Sequence, residues 1–248
     1  AMLQACLQSL RKDAGEVEPG EIDSLESAWA ILRGDYACAE RLLAQHENPS
    51  LSVLVQKIHL AVELKDFGEV VERCKSAILT AHRCKDLVAE LLLLADLGSA
   101  YQRTGNALEA MRCANQVITQ AEKANLPYLM GRGLQLKGIL QISQGFERDA
   151  LETFHHAAAY ASENRFLPLL ARAEGRLGIA YQNSGKYRLS LQHYEKALGL
   201  ARNLGMRRDE AELLHNLAIV LASLGKNDES ILYIRQARDI FAGLNDEQ

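Results

Sequence analysis

Two groups of residues have types that could support chemistry, and each lacks a necessary partner. Adjacent His155 and His156 could bind a metal, but neighbours on a helix project about 100° apart, which is poor geometry for sharing one ion. Gly185 and Lys186 resemble the end of a phosphate-binding loop, but Tyr187 follows them where Ser or Thr is needed. We therefore predict that the histidines are a solvated pair on a helix and that the Gly-Lys pair is a turn.

A third motif and the acidic residues also fail to predict catalysis. Gly131, Gly133 and Gly138 are spaced like a dinucleotide-binding turn, but no strand precedes them. The acidic residues around Glu147 to Glu163 are scattered as on an exposed helix face, and none is placed in an identifiable apolar pocket that would tune a general acid. We predict no catalytic residue, no metal and no cofactor, with an enzyme as the remote alternative.

Composition points to a helical protein without a nucleic-acid or membrane partner. The chain has 248 residues, 48% of them hydrophobic, with only four prolines and abundant helix-forming residues. Its net charge of −4 argues against direct contact with nucleic acid, and the apolar run from Leu91 to Ala95 is far too short to span a bilayer. Five cysteines, an odd number without a CxxC pair, predict thiols and a cytoplasmic location.

The strongest pattern is a repeat with an interval of 40 residues. Glycines recur at 105, 145, 185 and 225, and a small residue stands seven positions before each of them. The downstream positions also agree in register: Ala110, Ala150, Ser190, Ser230; Ala114, Phe154, Tyr194, Ile234; Val117, Ala157, Ala197, Ala237; and Ala121, Ala161, Ala201, Phe241. Four aligned copies predict one structural unit repeated along the chain.

Each column of the repeat has a physical reason. Leu94, Leu97, Gly98 and Tyr101 share one face of a first helix, and Gly105 suits the left-handed residue that ends it. The small residues that follow predict a second helix that packs closely against the first. Because one hairpin cannot bury its apolar face alone, successive hairpins must stack. We predict helix throughout 87–243, interrupted near Gly105, Asn125, Gly145, Asn164, Gly185, Gly205 and Gly225.

The sequence L-G-x-x-Y-x-x-x-G at 97–105, repeated at 177–185, resembles the tetratricopeptide repeat. The interval of 40 resembles the longer-repeat branch of that family, found in bacterial regulators and signalling adaptors. This resemblance implies an all-α fold, an α-solenoid of about six helical hairpins in a right-handed superhelix. It also implies a binding module whose first helices line a concave groove for a protein or peptide.

The repeats divide the chain into a short leader and an array. Residues 1–21 are predicted to be a tag remnant, from Ala1 before Met2, and a leading helix over 2–14. The array covers 22–248, with repeats at about 22–50, 51–90, 91–130, 131–170, 171–210 and 211–248. We expect a fragment of a longer protein, with Ile231, Ile234 and Phe241 of the last helix exposed, or covered in a homodimer or by a missing capping repeat.

The face of the first helices opposite Leu94, Leu97 and Tyr101 is the candidate ligand-binding groove. Arginine binds carboxylates with two hydrogen bonds, and asparagine both donates to and accepts from a peptide backbone. Arg172, Arg176 and Asn216 resemble part of the carboxylate clamp of some family members, although Gln135 and Ile139 stand at its remaining positions. The predicted groove residues are Arg103, Arg132, Ile139, Arg172, Arg176, Ile179, Asn183, Asn216 and Ile219.

Two hypotheses for the function follow from the groove. In the first, the chain is the regulatory or sensory segment of a larger signalling or transcription-regulatory protein, and a ligand in the groove changes the superhelix. In the second, it is a constitutive adaptor or scaffold that joins partners without switching. The isoleucines have a simpler interpretation as well, because half-buried positions between neighbouring first helices also take apolar residues.

Overall fold

A computed structural model describes residues 19–32, 36–46 and 49–246, and every regular element in these ranges is an α-helix. The predicted leading helix over 2–14 lies outside the described residues. The helices are α1 (Pro19–Leu32), α2 (Tyr36–Ala44), α3 (Leu51–Glu63), α4 (Phe67–Arg83), α5 (Leu87–Arg103), α6 (Ala107–Lys123), α7 (Pro127–Ser143), α8 (Glu147–Glu163), α9 (Leu167–Asn183), α10 (Tyr187–Asn203), α11 (Arg207–Ser223) and α12 (Asn227–Asp246). The all-α, solenoid-type fold predicted from the sequence is confirmed.

The helices from α4 to α11 are each 17 residues long and begin every 20 residues. The first helices begin at Leu87, Pro127, Leu167 and Arg207, shortly before the repeat limits predicted at 91, 131, 171 and 211. Pro127 and Pro168 lie in the first turn of their helices, where the missing N–H costs nothing. The predicted interruptions of the helical pattern are confirmed.

A left-handed residue ends each helix from α3 to α11. Gly105 has φ of +81°, and Gly145, Gly185, Gly205 and Gly225 are similar, as the glycine pattern predicted. The remaining ends use Lys65, Lys85, Asn125 and Arg165 at positive φ. At these ends the backbone N–H of the next residue donates a hydrogen bond to a carbonyl of the last helical turn. The Phe166 N–H, for example, donates to Ala161 O at 2.9 Å. Side chains other than glycine therefore take this conformation at four ends.

The described residues form two compact units, one within 19–106 and the other within 107–246. In the first unit, α3 packs against α1, α2 and α4, and α4 packs against α5. In the second, each helix packs against the next along the chain, and α9 also contacts α7 and α11. The first helices α7, α9 and α11 therefore lie side by side in the second unit.

The small-residue columns of the sequence are core positions of the hairpins. Ala110, Ala150 and Ser190 are fully buried, and the larger Phe154 and Tyr194 are buried too. The Ser190 hydroxyl donates to the Gly178 carbonyl at 2.8 Å, and Ser230 repeats this bond to Ala218 O at the same distance, one repeat later. The repeat therefore conserves both the packing and a hydrogen bond between the paired helices.

Gly178 allows α9 and α10 to approach closely, and this predicts opposite effects for two glycine-to-alanine changes. A Cβ at Gly178 would lie 2.5 Å from Cδ1 of the buried Tyr194, whereas a Cβ at Gly199 of α10 would meet nothing within 4 Å. We expect Gly178→Ala to lower the free energy of unfolding by about 1–2 kcal/mol, since overpacking outweighs helix propensity. Gly199→Ala should raise it by about 0.5–1 kcal/mol.

Urea denaturation followed by circular dichroism measures both changes. Gly199→Ala is the matched control, since it makes the same substitution in a helix with open space around it. A Gly178→Ala protein as stable as the parent would contradict the close packing of α9 on α10.

Candidate functional site

Eight of the nine predicted groove residues lie on α7, α9 and α11, and we call these eight the first-helix row. Because the three helices begin 40 residues apart and lie side by side, their corresponding positions are neighbours in the second unit. Arg172, Arg176, Asn183 and Ile219 are exposed, and the other four are partly buried. The structure thus brings arginine, asparagine and isoleucine together on one accessible surface. The row consists of Arg132, Ile139, Arg172, Arg176, Ile179, Asn183, Asn216 and Ile219.

Arg172 is held by an ion pair between adjacent first helices. Its Nε donates to Oδ1 of Asp209 on α11 at 3.2 Å, and the side chain keeps about half of its exposure. This pairing is absent from the sequence prediction, which treated the arginine as free for a ligand carboxylate. The guanidinium is therefore oriented by α11, while its accessible N–H groups remain in contact with solvent.

Arg176 lies one turn further along α9, on a crowded part of the row. It reaches solvent, yet enough protein surrounds it that desolvation lowers the pKa of its guanidinium, an effect that nearby Glu212 opposes. Arg172 and Asp209 are also close enough to act on its charge. The row therefore combines two arginines of α9 with two carboxylates of α11, and an acidic group on a ligand would compete with those carboxylates.

The isoleucines of the row differ in exposure. Ile179 packs against the core cluster that contains Tyr194 and Leu217, so it is half-buried, and Ile139 is half-buried as well. Ile219 is 42% exposed. Leu136, at the position of Arg176 and Asn216 in the preceding repeat, is buried. The apolar part of the row is thus most accessible on α11.

Arg103, the ninth predicted groove residue, lies in the first unit at the end of α5. Its guanidinium carbon lies 5.6 Å from the ring centroid of Phe67 at the start of α4, a cation–π distance. Arg103 is exposed, and the ring contact gives its guanidinium a local structural partner. Its assignment to the groove stays a prediction.

A second polar cluster in the same unit was missed by the sequence prediction. Glu174 of α9 is only 3% exposed, and its carboxylate binds two groups of α10: His193 Nδ1 at 2.7 Å, and the ammonium of Lys196. Burial raises the pKa of Glu174, but the hydrogen bonds from His193 and Lys196 outweigh burial and hold the pKa below its ordinary value. Glu174 is therefore a buried carboxylate stabilised by its partners.

His155 of α8 adjoins this cluster and is exposed, as is His156, in agreement with the predicted solvated pair. Its Nε2 lies 3.0 Å from the Tyr181 hydroxyl, and the Tyr181 ring stacks on His193 with centroids 5.1 Å apart. Desolvation lowers the pKa of His155, and the neighbouring His193 adds to the effect. His156 lies near Tyr160 instead, because consecutive residues of a helix face different directions.

The sequence did carry a signal for Glu174. Residue 174 occupies the column of Leu94, Leu134 and Leu214, which are buried core leucines. A carboxylate in a leucine column predicts either a misaligned repeat or a buried charge with partners. Glu210, 6% exposed and bound by Arg202 Nε at 3.0 Å and Arg207 Nη1 at 2.8 Å, is a second buried carboxylate.

Among the residues that the structure describes, no group of three or more His, Cys, Asp or Glu side chains is arranged to hold a metal ion. No helix among them combines the length and apolar character needed to cross a membrane.

The comparison with protein families matches the region that contains most of the first-helix row. Residues 169–242, covering α9 to most of α12, match the family model described as tetratricopeptide repeat. This matched stretch is similar to tetratricopeptide repeats. The resemblance noted in the sequence is therefore confirmed, and the repeats of the second unit include the arginines and the buried Glu174.

The curated relatives share part of the chain. A photosystem I assembly protein Ycf3 of Synechococcus sp. strain WH7803 is 35% identical over 80 residues, which cover 30% of this chain and 44% of the relative. Ycf3 of Parasynechococcus marenigrum strain WH8102 gives the same identity and coverage. The matched stretch thus spans less than half of the length of these relatives.

Solved structures share the fold at low sequence identity. A Rap protein complexed with competence and sporulation factor superposes with a TM-score of 0.79 at 14% identity, covering 98% of this chain and 72% of the other. NprR in complex with its cognate peptide NprX gives a TM-score of 0.71 at 16% identity, covering 96% and 73%. These likenesses establish the fold.

Proposed function

We propose that the chain is a protein- or peptide-binding module whose ligand lies along the first-helix row, and that it forms the regulatory or sensory segment of a larger signalling or transcription-regulatory protein. Tetratricopeptide repeats mediate protein–protein interaction. The observation that carries the proposal is the convergence of Arg172, Arg176, Asn216 and Ile219 on one accessible surface. Charge, amide and apolar surface together suit an extended peptide.

The regulatory part of the proposal draws on the structural neighbours. Rap and NprR are both described with a bound peptide or factor, and we extend peptide binding to this chain. As part of the same proposal, the chain is not an enzyme. It acts in the cytoplasm, a reducing compartment in which structural disulfides are rare.

A constitutive adaptor is the second candidate, favoured by the sequence relatives, which are named as assembly proteins. The two functions differ in what the ligand does to the repeats. A regulatory segment changes its radius of gyration in small-angle scattering when the ligand binds, whereas an adaptor does not.

Site-specific photo-crosslinking tests whether the partner lies on the row. Benzoylphenylalanine placed at Ile219 of α11 samples the row, and the same residue at Leu189 of α10 samples a second helix. The two positions are matched, since Ile219 is 42% and Leu189 is 41% exposed. We expect a discrete crosslinked partner from position 219 and little from 189, with mass spectrometry identifying the partner.

Adding Arg172→Ala and Arg176→Ala to the position-219 protein should reduce the crosslink, because the arginines would bind the same partner. Equal crosslinking from both positions, or a stronger product from 189, would place the partner on another surface.

A further inference from the structure

Asp209 of α11 stands at a position where the neighbouring first helices carry a buried leucine. The equivalent residues, 40 and 80 positions earlier, are Leu169 of α9 and Leu129 of α7, which are 4% and 3% exposed. Leu169 fills the space that a Cβ on Gly131 of α7 would need, so it packs α9 onto α7. The Asp209 carboxylate is instead partly exposed and lies against Arg172, because a charged group in an apolar contact would lose its hydration.

The ion pair between Asp209 and Arg172 has a weak geometry. In the part of the chain that the structure describes, Nε alone of the guanidinium donates to the carboxylate, at 3.2 Å, whereas a carboxylate that faces the planar fork of arginine accepts two hydrogen bonds. The side chains of Arg172 and Asp209 keep 52% and 28% of their exposure. Since exposed pairs of this kind contribute little to stability, an incoming carboxylate can replace Asp209 at low cost.

Arg176, one turn further along α9, is a second cation on the same surface. Among the residues with described positions, no hydrogen bond or ion pair holds its guanidinium. Desolvation and the charge of Arg172 lower the pKa of Arg176, and the carboxylates of Glu212 and Asp209 oppose this effect. An acidic ligand would therefore gain charge-assisted hydrogen bonds at Arg176 and Arg172 together.

Asp209 also has a simpler role, at the start of its helix. It is the third residue of α11, and a carboxylate in the first turn stabilises the helix dipole. Asp149 is the third residue of α8, where it has the same effect. Because Asp149 is exposed on a second helix and does not belong to the first-helix row, it provides a matched control for the charge and the dipole.

We propose that Asp209 occupies the place of a ligand carboxylate on Arg172 in the free chain, and that an acidic peptide binds the first-helix row by exchanging its own carboxylate for Asp209. The exchange rests on the proposed function, since it requires the ligand to lie on the row. A ligand carboxylate that accepts two N–H groups of Arg172 replaces a single contact, and a second carboxylate binds Arg176. Asp209 thereby favours ligands with two acidic groups over ligands with one.

The exchange can be measured with a synthetic peptide of sequence Glu-Gly-Glu, acetylated and amidated at its ends, and with Gln-Gly-Gln as its neutral counterpart. Binding is followed by nitrogen-15 NMR of the Nε–H signals of Arg172 and Arg176, which the alanine variants assign. The ionic strength is held constant, since salt screens exposed charges. We expect the acidic peptide to shift both signals and the neutral peptide to shift neither. Asp209→Ala should bind the acidic peptide at least about threefold more tightly than the parent, because the resident competitor is gone.

Two further proteins separate exchange from a general effect of charge. Asp149→Ala removes the same charge from the same position of a second helix, and it should bind the acidic peptide like the parent. Asp209→Ala added to Arg172→Ala should leave the affinity of that protein unchanged, as read from the Arg176 signal, because the contested guanidinium is absent. Circular dichroism verifies that each variant is folded.

Any of four results would overturn the proposal: equal affinity of the parent and Asp209→Ala, weaker binding by Asp209→Ala, the same gain in Asp149→Ala, or a gain that persists without Arg172. Weaker binding would mean that Asp209 positions Arg172 for the ligand. No shift of either arginine signal in any variant would also overturn the proposal, through its ligand class. The proposed function is judged separately, by the crosslinks from positions 219 and 189.

Discussion

A variant with His193→Phe and Lys196→Met will lose about 3 kcal/mol of unfolding free energy at neutral pH. The changes remove both partners of Glu174, which is 3% exposed in α9, and an unpaired buried charge costs about 3–5 kcal/mol. We take the low end because Lys196 is itself largely exposed. Phenylalanine keeps the stacking on Tyr181, so the measurement isolates the charge.

The same variant will reverse the pH dependence of stability below neutrality. In the parent, the pKa of Glu174 lies below its unfolded value near 4.5, so its stabilisation is present above that value and is lost as the pH falls through the folded pKa. In the variant, burial alone raises the pKa of Glu174. The folded state then binds the proton more tightly, and this contribution to stability grows as the pH falls from 7 toward the unfolded value. His155 also faces Glu174 and is retained in both proteins.

Adding Glu174→Leu to the variant should restore most of the lost stability, because Leu94, Leu134 and Leu214 fill the same column in other repeats. Lys123→Met, a change of an exposed lysine at the end of α6, is the control and should be nearly silent. Urea denaturation between pH 4 and 8 measures all four proteins. Unchanged stability in the double variant, or no recovery with leucine, would contradict a charge network centred on Glu174.

The sequence predicted the architecture because the repeat enforces it. A glycine every 40 residues and small residues in register determine where helices end and which faces meet, and both are visible without neighbours in space. The glycine pattern did not predict every helix end, since Lys65, Lys85 and Arg165 end helices at positive φ without a glycine. Stacking on both sides forces the turn at those ends, whatever residue occupies it.

The candidate site was less predictable because its contacts join different repeats. Arg172 and Asp209, which form an ion pair, are 37 residues apart in the sequence. They meet because α9 and α11 lie side by side, and no local sequence pattern encodes that arrangement. Glu174 could have been found from its leucine column, but its partners His193 and Lys196 depend on how α10 lies on α9. The exposure of Ile231 and Ile234, by contrast, followed from the repeat and is confirmed.

Loss of both groove arginines is the second large effect that we expect. Arg172→Ala with Arg176→Ala removes two guanidinium groups from the first-helix row, each able to form charge-assisted hydrogen bonds worth roughly 1.5–3 kcal/mol. The ion pair of Arg172 with Asp209 is exposed on the arginine side, so its loss should change stability little. Affinity for the partner should fall by at least about tenfold, the equivalent of 1.4 kcal/mol.

Calorimetric titration of the partner captured at position 219 tests most directly whether the first-helix row is the binding surface. The parent, the Arg172→Ala/Arg176→Ala variant and an Arg148→Ala/Arg188→Ala variant on α8 and α10 should be compared at one salt concentration, since the last two lose the same charge. We predict at least tenfold weaker binding for the first variant and a dissociation constant close to that of the parent for the second. The reverse ranking would mean that the partner binds the second helices and that the first-helix row is not the site.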